Sequence, residues 1–192
     1  MKKIFNKKFL SAVAVLAISG TVAIGAGAFA ACKNKDPREQ AVPDGEFQGN
    51  VYYVAAYGSK DNDGLTGYTA KDPSFINERS LQAGDTVFLM PGTYKWNTSW
   101  GENISYNSKA IAITASGEPG KNINFINAAL DERSGYEGSK TKVTLDFSEM
   151  EFAGNNRGVQ VYGDYIYWYG IDICGAGDNG MYIGGSFNTI EY

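Results

Sequence analysis

The sequence predicts an all-β fold in which the chain winds as a β-solenoid, and three observations support this prediction. Two alternating segments bounded by glycine, residues 158–163 and 180–185, lie 22 residues apart. The segments that follow keep this spacing, which places Tyr165 beside Phe187 and Trp168 beside Ile190. No amphipathic helix of about ten residues or more separates the β-prone runs. A repeat of this length, built from period-2 strands, indicates rungs that stack on one another.

The 22-residue spacing also predicts which residues of neighbouring rungs should meet. The two glycine-bounded segments should lie parallel to each other, about 4.8 Å apart. Val159 should then stack on Met181, and Val161 on Ile183, in the interior of the solenoid. One rung cannot bury its apolar side alone, so each rung should depend on its neighbours for stability.

Residues 1–31 have the pattern of a signal peptide. Four lysines precede the uncharged stretch 9–31, and Ala28-Phe29-Ala30 is a site of the kind that signal peptidase cleaves. Ala30-Ala31-Cys32 also resembles the end of a lipobox, although Phe29 stands where leucine is usual. Two interpretations stay open, namely lipidation of Cys32 at the cell surface and ordinary secretion after cleavage behind Ala30. Both predict a secreted or extracellular protein.

The charge and the missing histidines exclude several classes of function. Removal of residues 1–31 takes away four of 17 basic side chains and none of 21 acidic ones, so the net charge changes from −4 to −8. A basic surface for nucleic acid is therefore absent from the composition. An acidic polymer would be repelled unless a cation bridged it to the protein. Because the chain has no histidine, Ser-His-Asp and Cys-His catalysis are excluded.

The chain divides into a linker and one folded domain. Residues 32–50 are polar, contain two prolines and are predicted to form a flexible linker. Residues 51–192 are predicted to form the N-terminal rungs of a parallel β-helix, beginning with the β-prone run at Val51. A short helix is expected from Asp72 to Ala83, with Gly84 as its stop signal, and it should cap the open first rung.

Further short apolar runs separated by turn residues are predicted to be strands, and the longer inserts between them are predicted to be surface loops. The predicted strands are residues 85–90, 110–113, 123–126 and 143–147, and the predicted loops are residues 96–108 and 130–141.

A few residues were candidates for ligand contact. Asp61 and Asp63 lie in a glycine-bounded segment, but the twelfth position of an EF-hand loop would fall on Ala70 instead of glutamate. A simple turn is therefore favoured, and a weak structural calcium site is left open.

Trp96 and Trp100 are candidates for contact with sugars, whereas the other aromatic residues are expected to pack internally. Cys174 is predicted to lie on the outer side and receives no role.

Several segments resemble known secreted β-helix proteins. Residues 51–54, 58–66 and 82–94 resemble the opening of parallel β-helix proteins in general. The segment Ile166–Ile173, with the glycine-rich stretch and residues 186–191 that follow, is similar to the family nine polysaccharide lyases, which are pectate lyases. The resemblance covers about residues 50–192. It implies a right-handed parallel β-helix and the family's chemistry, calcium-assisted β-elimination of polygalacturonate with clustered aspartates and a lysine base.

The sequence departs from this family where the catalytic residues should be. It contains no Asp-Asp pair, and the later lysines precede the most specific segment, so no catalytic or metal-binding residue is assigned. The chain is therefore interpreted as the C-terminally truncated, N-terminal part of a longer monomeric lyase that acts on an acidic plant polysaccharide, and it is expected to be inactive alone. If it proved active, Asp61, Asp63, Asp178 and the loop lysines would be the first candidates. The alternative is a non-catalytic β-helix that binds glycans, or an adhesin-like surface protein.

Overall fold

The structure, a computed structural model, describes residues 45–101 and 110–192. Within these residues, short strands form three parallel sheets. The first sheet has the order β1-β2-β5-β8-β11, the second β3-β6-β9, and the third β4-β7-β10. The strands are β1 (Val51–Val54), β2 (Thr86–Leu89), β3 (Gly92–Lys95), β4 (Ile111–Ile113), β5 (Ile123–Asn127), β6 (Val143–Asp146), β7 (Val159–Val161), β8 (Ile166–Tyr169), β9 (Ile171–Cys174), β10 (Met181–Ile183) and β11 (Thr189–Glu191).

From β2 onward, each complete rung of this β-helix passes once through all three sheets. The three successive rungs are β2–β3–β4, β5–β6–β7 and β8–β9–β10, and β11 returns to the first sheet. The predicted all-β solenoid is thereby confirmed. Met181 pairs with Val159 and Ile183 with Val161 in parallel register, as the 22-residue spacing predicts.

The rungs differ in length, although their strands stay in register. In the first sheet, the column of paired residues runs from Thr86 to Asn124, Tyr167 and Thr189. These neighbours are separated by 38, 43 and 22 residues. The additional residues of the longer rungs lie in the loops between strands, so the strand positions themselves repeat.

The core consists of inward-facing side chains stacked from rung to rung. Val87, Phe125 and Trp168 form one such column in the first sheet and are almost completely buried. The rings of Phe125 and Trp168 lie 5.6 Å apart between centroids. Burial of each large apolar side chain contributes about 1.5–3 kcal/mol. In the last rung, Ile183 occupies an inward position but is 48% exposed, because no further described rung lies over it.

The corner between the third and first sheets shows why glycine recurs with the repeat. A Cβ atom at Gly185 would collide with the carbonyl group of Gly163 in the rung below. Two residues further on, Tyr165 and Phe187 each adopt positive φ angles, 55° and 58°. Their rings stack at 4.8 Å, which confirms that they are equivalent positions of consecutive rungs.

The predicted helix from Asp72 to Ala83 is wrong in length and type. The structure has a 3₁₀ helix at Pro73–Asn77, which we call the cap helix. The Asp72 carboxylate accepts a hydrogen bond from the backbone N–H of Ser74, and Pro73 suits the first helical position. The helix ends because Glu78 is extended, and Leu81 reaches the core from the segment beyond it.

Asn77 of the cap helix closes the edge of the third sheet. Its side-chain Oδ1 accepts the N–H of Ala112 at 2.7 Å, and its Nδ2 donates to the carbonyl oxygen of Ala110 at 3.1 Å. Nδ2 also donates to the carbonyl oxygen of Trp100 at 2.6 Å. In a parallel sheet, a preceding strand would bond the same N–H of Ala112 and C=O of Ala110. The side-chain amide of Asn77 therefore takes the place of such a strand at this edge.

A second apolar cluster covers the outer face of the first sheet. Phe88, Ile126 and Tyr167 point outward from their strands and are buried under the predicted loop 130–141 and the residues around it. Phe47, near the end of the predicted linker, packs on Phe88 with ring centroids 5.8 Å apart. Residues 1–31 and the earlier part of that linker, including Cys32, lie outside the described residues.

We expect Asn77→Ala to lower the free energy of unfolding by about 2 kcal/mol, because it removes the hydrogen bonds that the Asn77 side chain makes with the backbone of Trp100, Ala110 and Ala112. Chemical denaturation with circular dichroism measures this change. Asn179→Ala is the matched control, since Asn179 is exposed and its side chain makes no hydrogen bond within the described residues. Equal stability of the two variants would contradict the capping role of Asn77.

Candidate functional site

The outer face of the third sheet changes from covered to open along the rungs. Its outward positions are Ala112, Gln160 and Tyr182, which alternate with the inward residues of β4, β7 and β10. Ala112 and Gln160 are buried, whereas Tyr182 is 37% exposed. The solvent-accessible part of this face therefore begins at Tyr182.

An arginine and two tyrosines gather at this accessible part. The guanidinium carbon of Arg157 lies 4.1 Å from the centroid of the Tyr182 ring, a cation–π distance. The ring of Tyr162 lies 5.8 Å from that of Tyr182. With Gln160, whose Oε1 accepts the hydroxyl hydrogen of Tyr162 at 2.8 Å, these residues form what we call the Arg157 strip.

Two N–H donors of the Arg157 strip lack partners. Within the described part of the chain, Gln160 Nε2 and Arg157 Nε are buried and make no hydrogen bond. The Asp178 carboxylate lies 3.9 Å from Arg157 Nε, too far for a hydrogen bond, and it accepts the backbone N–H of Asn155 at 3.0 Å instead. A buried donor without a partner costs about 1–3 kcal/mol, so these two groups carry an energetic cost in the folded chain.

This arrangement suits a sugar that carries a carboxylate. Aromatic rings such as Tyr182 can pack against the apolar side of a pyranose. A guanidinium group binds carboxylates strongly because its donors match the two carboxylate oxygens. The Arg157 strip combines both features with the additional donor of Gln160.

The tryptophans predicted to contact sugars do not lie in this strip. Trp100 is only 4% exposed and packs edge-on against Phe147, with ring centroids 6.0 Å apart. Trp96 is half-buried and packs against the core. The prediction of a sugar-contacting role is wrong for Trp100, because the 3₁₀ helix Thr98–Gly101 turns its ring toward the core.

The segment with Asp61 and Asp63 has the contacts of a turn. Asp63 Oδ1 accepts hydrogen bonds from the N–H of Leu65 at 2.9 Å and the hydroxyl of Thr69 at 2.6 Å. These bonds lower the pKa of the Asp63 carboxyl. Within residues 45–101 and 110–192, no three acidic or cysteine side chains lie close enough together to hold a metal ion. The described residues therefore contain no acidic cluster of the kind that the resemblance implies for calcium.

Cys174 is exposed, as the alternation in β9 predicts. Its Sγ lies 3.8 Å from Asp146 Oδ1, and Asp172 is also close in sequence. Partial desolvation of the thiol raises its pKa, and the negative charges of Asp146 and Asp172 raise it further. A thiol in this setting is a weak nucleophile at neutral pH.

The sequence alone does not predict the Arg157 strip, although the repeat indicates that Tyr182 points outward. Tyr182 alternates with Met181 and Ile183, so its outward direction follows from the strand pattern. Arg157 stands immediately before the glycine-bounded repeat. Its approach to Tyr182 depends on how residues 147–158 return to the third sheet, and no periodic pattern describes that loop.

No helix among the described residues has the length and apolar character needed to span a membrane.

Comparison with known proteins places the chain beside pectate lyases. Residues 52–192 match the family described as Pel9A-like, right handed beta helix region. Pectate lyase L from Paenibacillus polymyxa (strain SC2) is 37% identical over 111 residues, which cover 58% of this chain and 20% of that protein. Pectate lyase L from Dickeya chrysanthemi is 30% identical over 143 residues, which cover 73% of this chain and 30% of that protein.

A solved structure supports the fold. The crystal structure of pectate lyase Pel9A aligns with a TM-score of 0.55 and 24% identity over 73% of this chain and 32% of that one. At this identity the likeness concerns the fold. The right-handed parallel β-helix expected from the sequence is thereby confirmed. The chain spans between a fifth and a third of the length of these relatives.

We expect Asp146→Asn to speed alkylation of Cys174 by iodoacetamide at about pH 8, because loss of the negative charge lowers the pKa of the thiol and increases the thiolate fraction. Asparagine keeps the acceptor that Asp146 Oδ1 offers to the N–H of Ser148. Peptide mass spectrometry would follow the rate at Cys174 separately from Cys32. Glu149→Gln serves as the control, and an unchanged rate in Asp146→Asn would contradict the electrostatic explanation.

Proposed function

Because the chain belongs to the family with a Pel9A-like right-handed β-helix region, we propose that it is the N-terminal part of a polysaccharide lyase that acts on an acidic plant polysaccharide such as polygalacturonate. Two relatives that carry the name pectate lyase L support this assignment. In the proposed reaction, a base removes the proton next to the uronate carboxylate and the glycosidic bond breaks by β-elimination.

The single observation that carries the proposal within this chain is the Arg157 strip. A polygalacturonate chain presents one carboxylate on every sugar ring. Arg157 would bind such a carboxylate, and Tyr182 would pack on the ring. The chain as a whole carries a net charge of −4, so a local cation with unsatisfied donors is needed to hold an acidic polymer.

We assign binding, and not the elimination step, to this chain. Its described residues contain no acidic cluster of the kind that the resemblance implies for calcium, and no lysine lies in the Arg157 strip. We propose that the base and any calcium ligands belong to rungs that continue from β11. The proposal is supported by the share of the relatives that the chain covers.

The export signal is the basis of a proposal on location. We propose that residues 1–31 are removed and that the protein acts outside the cytoplasm, either free or anchored through a lipid on Cys32. Extracellular action suits an enzyme for a polymer that is too large to enter a cell.

The Arg157 strip makes a prediction for polysaccharide binding. We expect purified chain to be retarded in native gels that contain polygalacturonate, and we expect Tyr182→Ala and Arg157→Gln to weaken binding by roughly threefold to tenfold each, through loss of ring packing and of the charge-assisted contact. Tyr68→Ala and Lys140→Gln are the matched controls. Tyr68 is 98% exposed, Lys140 is also exposed, and neither lies in the strip.

The outcomes of this experiment separate the two functions considered. Retardation by polygalacturonate and not by neutral galactan supports the lyase assignment, whereas equal retardation by both favours a glycan-binding surface protein. The same samples should release no unsaturated uronide. A release rate that scales with the amount of purified chain would show that the chain contains a complete catalytic site.

The export proposal predicts the N-terminus of the mature protein. We expect mass spectrometry of protein recovered after expression in a secreting host to find Ala31 or Cys32 as the first residue, with the mass of a diacylglycerol on Cys32 if the chain is lipidated. Cys32→Ser distinguishes the two, because it abolishes lipidation and leaves cleavage behind Ala30 possible. Recovery of intact Met1 in the exported fraction would refute the proposal.

A further inference from the structure

A separate cavity lies beside the cap helix. It has a volume of about 350 Å³ and is open to solvent on one side. Its described lining residues come from the cap helix, from the residues on either side of that helix, and from Lys60, Ser99 and Trp100. Asn77 forms part of its wall, so the cavity adjoins the closed edge of the third sheet. None of its lining residues belongs to the Arg157 strip.

The charges around the cavity favour an anion. Three cationic side chains line it, Lys60, Lys71 and Arg79, against two carboxylates, Asp72 and Glu78. Among the described lining residues, Lys71 and Arg79 thus bring positive charge to this surface, in a chain whose net charge is −4. An anionic ligand that approached the acidic protein would meet a favourable potential here.

Internal hydrogen bonds hold the two carboxylates in place. Asp72 Oδ1 accepts hydrogen bonds from the N–H of Ser74 at 3.1 Å and from its hydroxyl at 2.5 Å. Glu78 Oε1 accepts the N–H of Ser80 at 3.2 Å. The guanidinium group of Arg79, by contrast, is exposed and makes no hydrogen bond or ion pair within the described residues.

A second cation is held close to the same space. Lys71 Nζ donates to the backbone carbonyl oxygen of Lys60 at 3.0 Å, which fixes its position and leaves two of its three N–H groups for other acceptors. Phe75 and Trp100 supply apolar surface to the wall. The cavity therefore combines a forked donor, a fixed ammonium group and aromatic carbon.

We propose that this cavity binds the terminal uronate of a short acidic saccharide. The Arg79 guanidinium binds the carboxylate through two N–H groups, Lys71 adds a second charge, and the sugar ring packs against Phe75. A volume of 350 Å³ is near the lower end of the range of roughly 300–1,000 Å³ for ligand pockets, which suits one or two sugar rings. The choice of uronate rests on the proposed function.

Titration of purified chain with digalacturonate tests the proposal, with calorimetry and tryptophan fluorescence as readouts. We expect digalacturonate to bind and neutral galactobiose to bind at least tenfold more weakly, because the carboxylate supplies the charge-assisted contacts. Arg79→Gln should weaken digalacturonate binding by about tenfold. Lys140→Gln, an exposed cation in another loop, should leave it unchanged. Thermal unfolding of the ligand-free variants checks that both remain folded.

Several results would overturn the proposal. Equal binding of galactobiose, unchanged affinity in Arg79→Gln, or displacement of digalacturonate by an equal concentration of inorganic phosphate would each show that the cavity does not recognise a uronate. Binding that is lost in Tyr182→Ala but kept in Arg79→Gln would assign the disaccharide to the Arg157 strip, so this inference would fail while the proposed function stood. Arg79-dependent binding of digalacturonate without any binding of polygalacturonate would support the cavity and count against the proposed function.

Discussion

Hydrogen bonding between parallel strands of consecutive rungs is the constraint on which the rest of this structure depends. A single rung contributes strands of only three to five residues, and it gains backbone partners and a covered apolar side only from the rungs next to it. The columns of Val87, Phe125 and Trp168 can form because this pairing fixes which side chains lie above one another. Stability in such a fold is a property of neighbouring pairs of rungs more than of any rung alone.

The same constraint explains the arrangement at the beginning of the helix. Among the described residues, the first rung supplies a strand to the first sheet but none to the third, so β4 has no preceding strand beside it. Asn77 bonds two backbone groups at this edge, and the segment that carries it also brings Arg79 to the adjoining cavity. One short segment therefore links the closure of a sheet edge to a surface suited to an anion. The Arg157 strip arises differently, from residues that stay uncovered farther along the same sheet.

Much of the fold could be predicted from the sequence because it follows from a repeat. The spacing between residues 158–163 and 180–185 correctly gave the parallel register, and the alternation placed Cys174 outside. The length of the helix after Asp72 could not be obtained in this way, since its end depends on Asn77 bonding to a strand 35 residues later. The buried position of Trp100 and the approach of Arg157 to Tyr182 likewise depend on irregular loops, whose paths are set by tertiary contacts instead of local periodicity.

The unequal lengths of the rungs have a consequence for how such a protein can diversify. Neighbouring positions of one column are separated by 38, 43 and 22 residues, yet the strands remain aligned. Insertions and deletions of many residues are thus absorbed at the corners, because closing a longer loop costs little additional entropy. Loops on one side of the coil can be exchanged, lengthened or lost without rearranging the interior. The coil is a scaffold on which the recognition of different polymers can evolve independently of the residues that keep it folded.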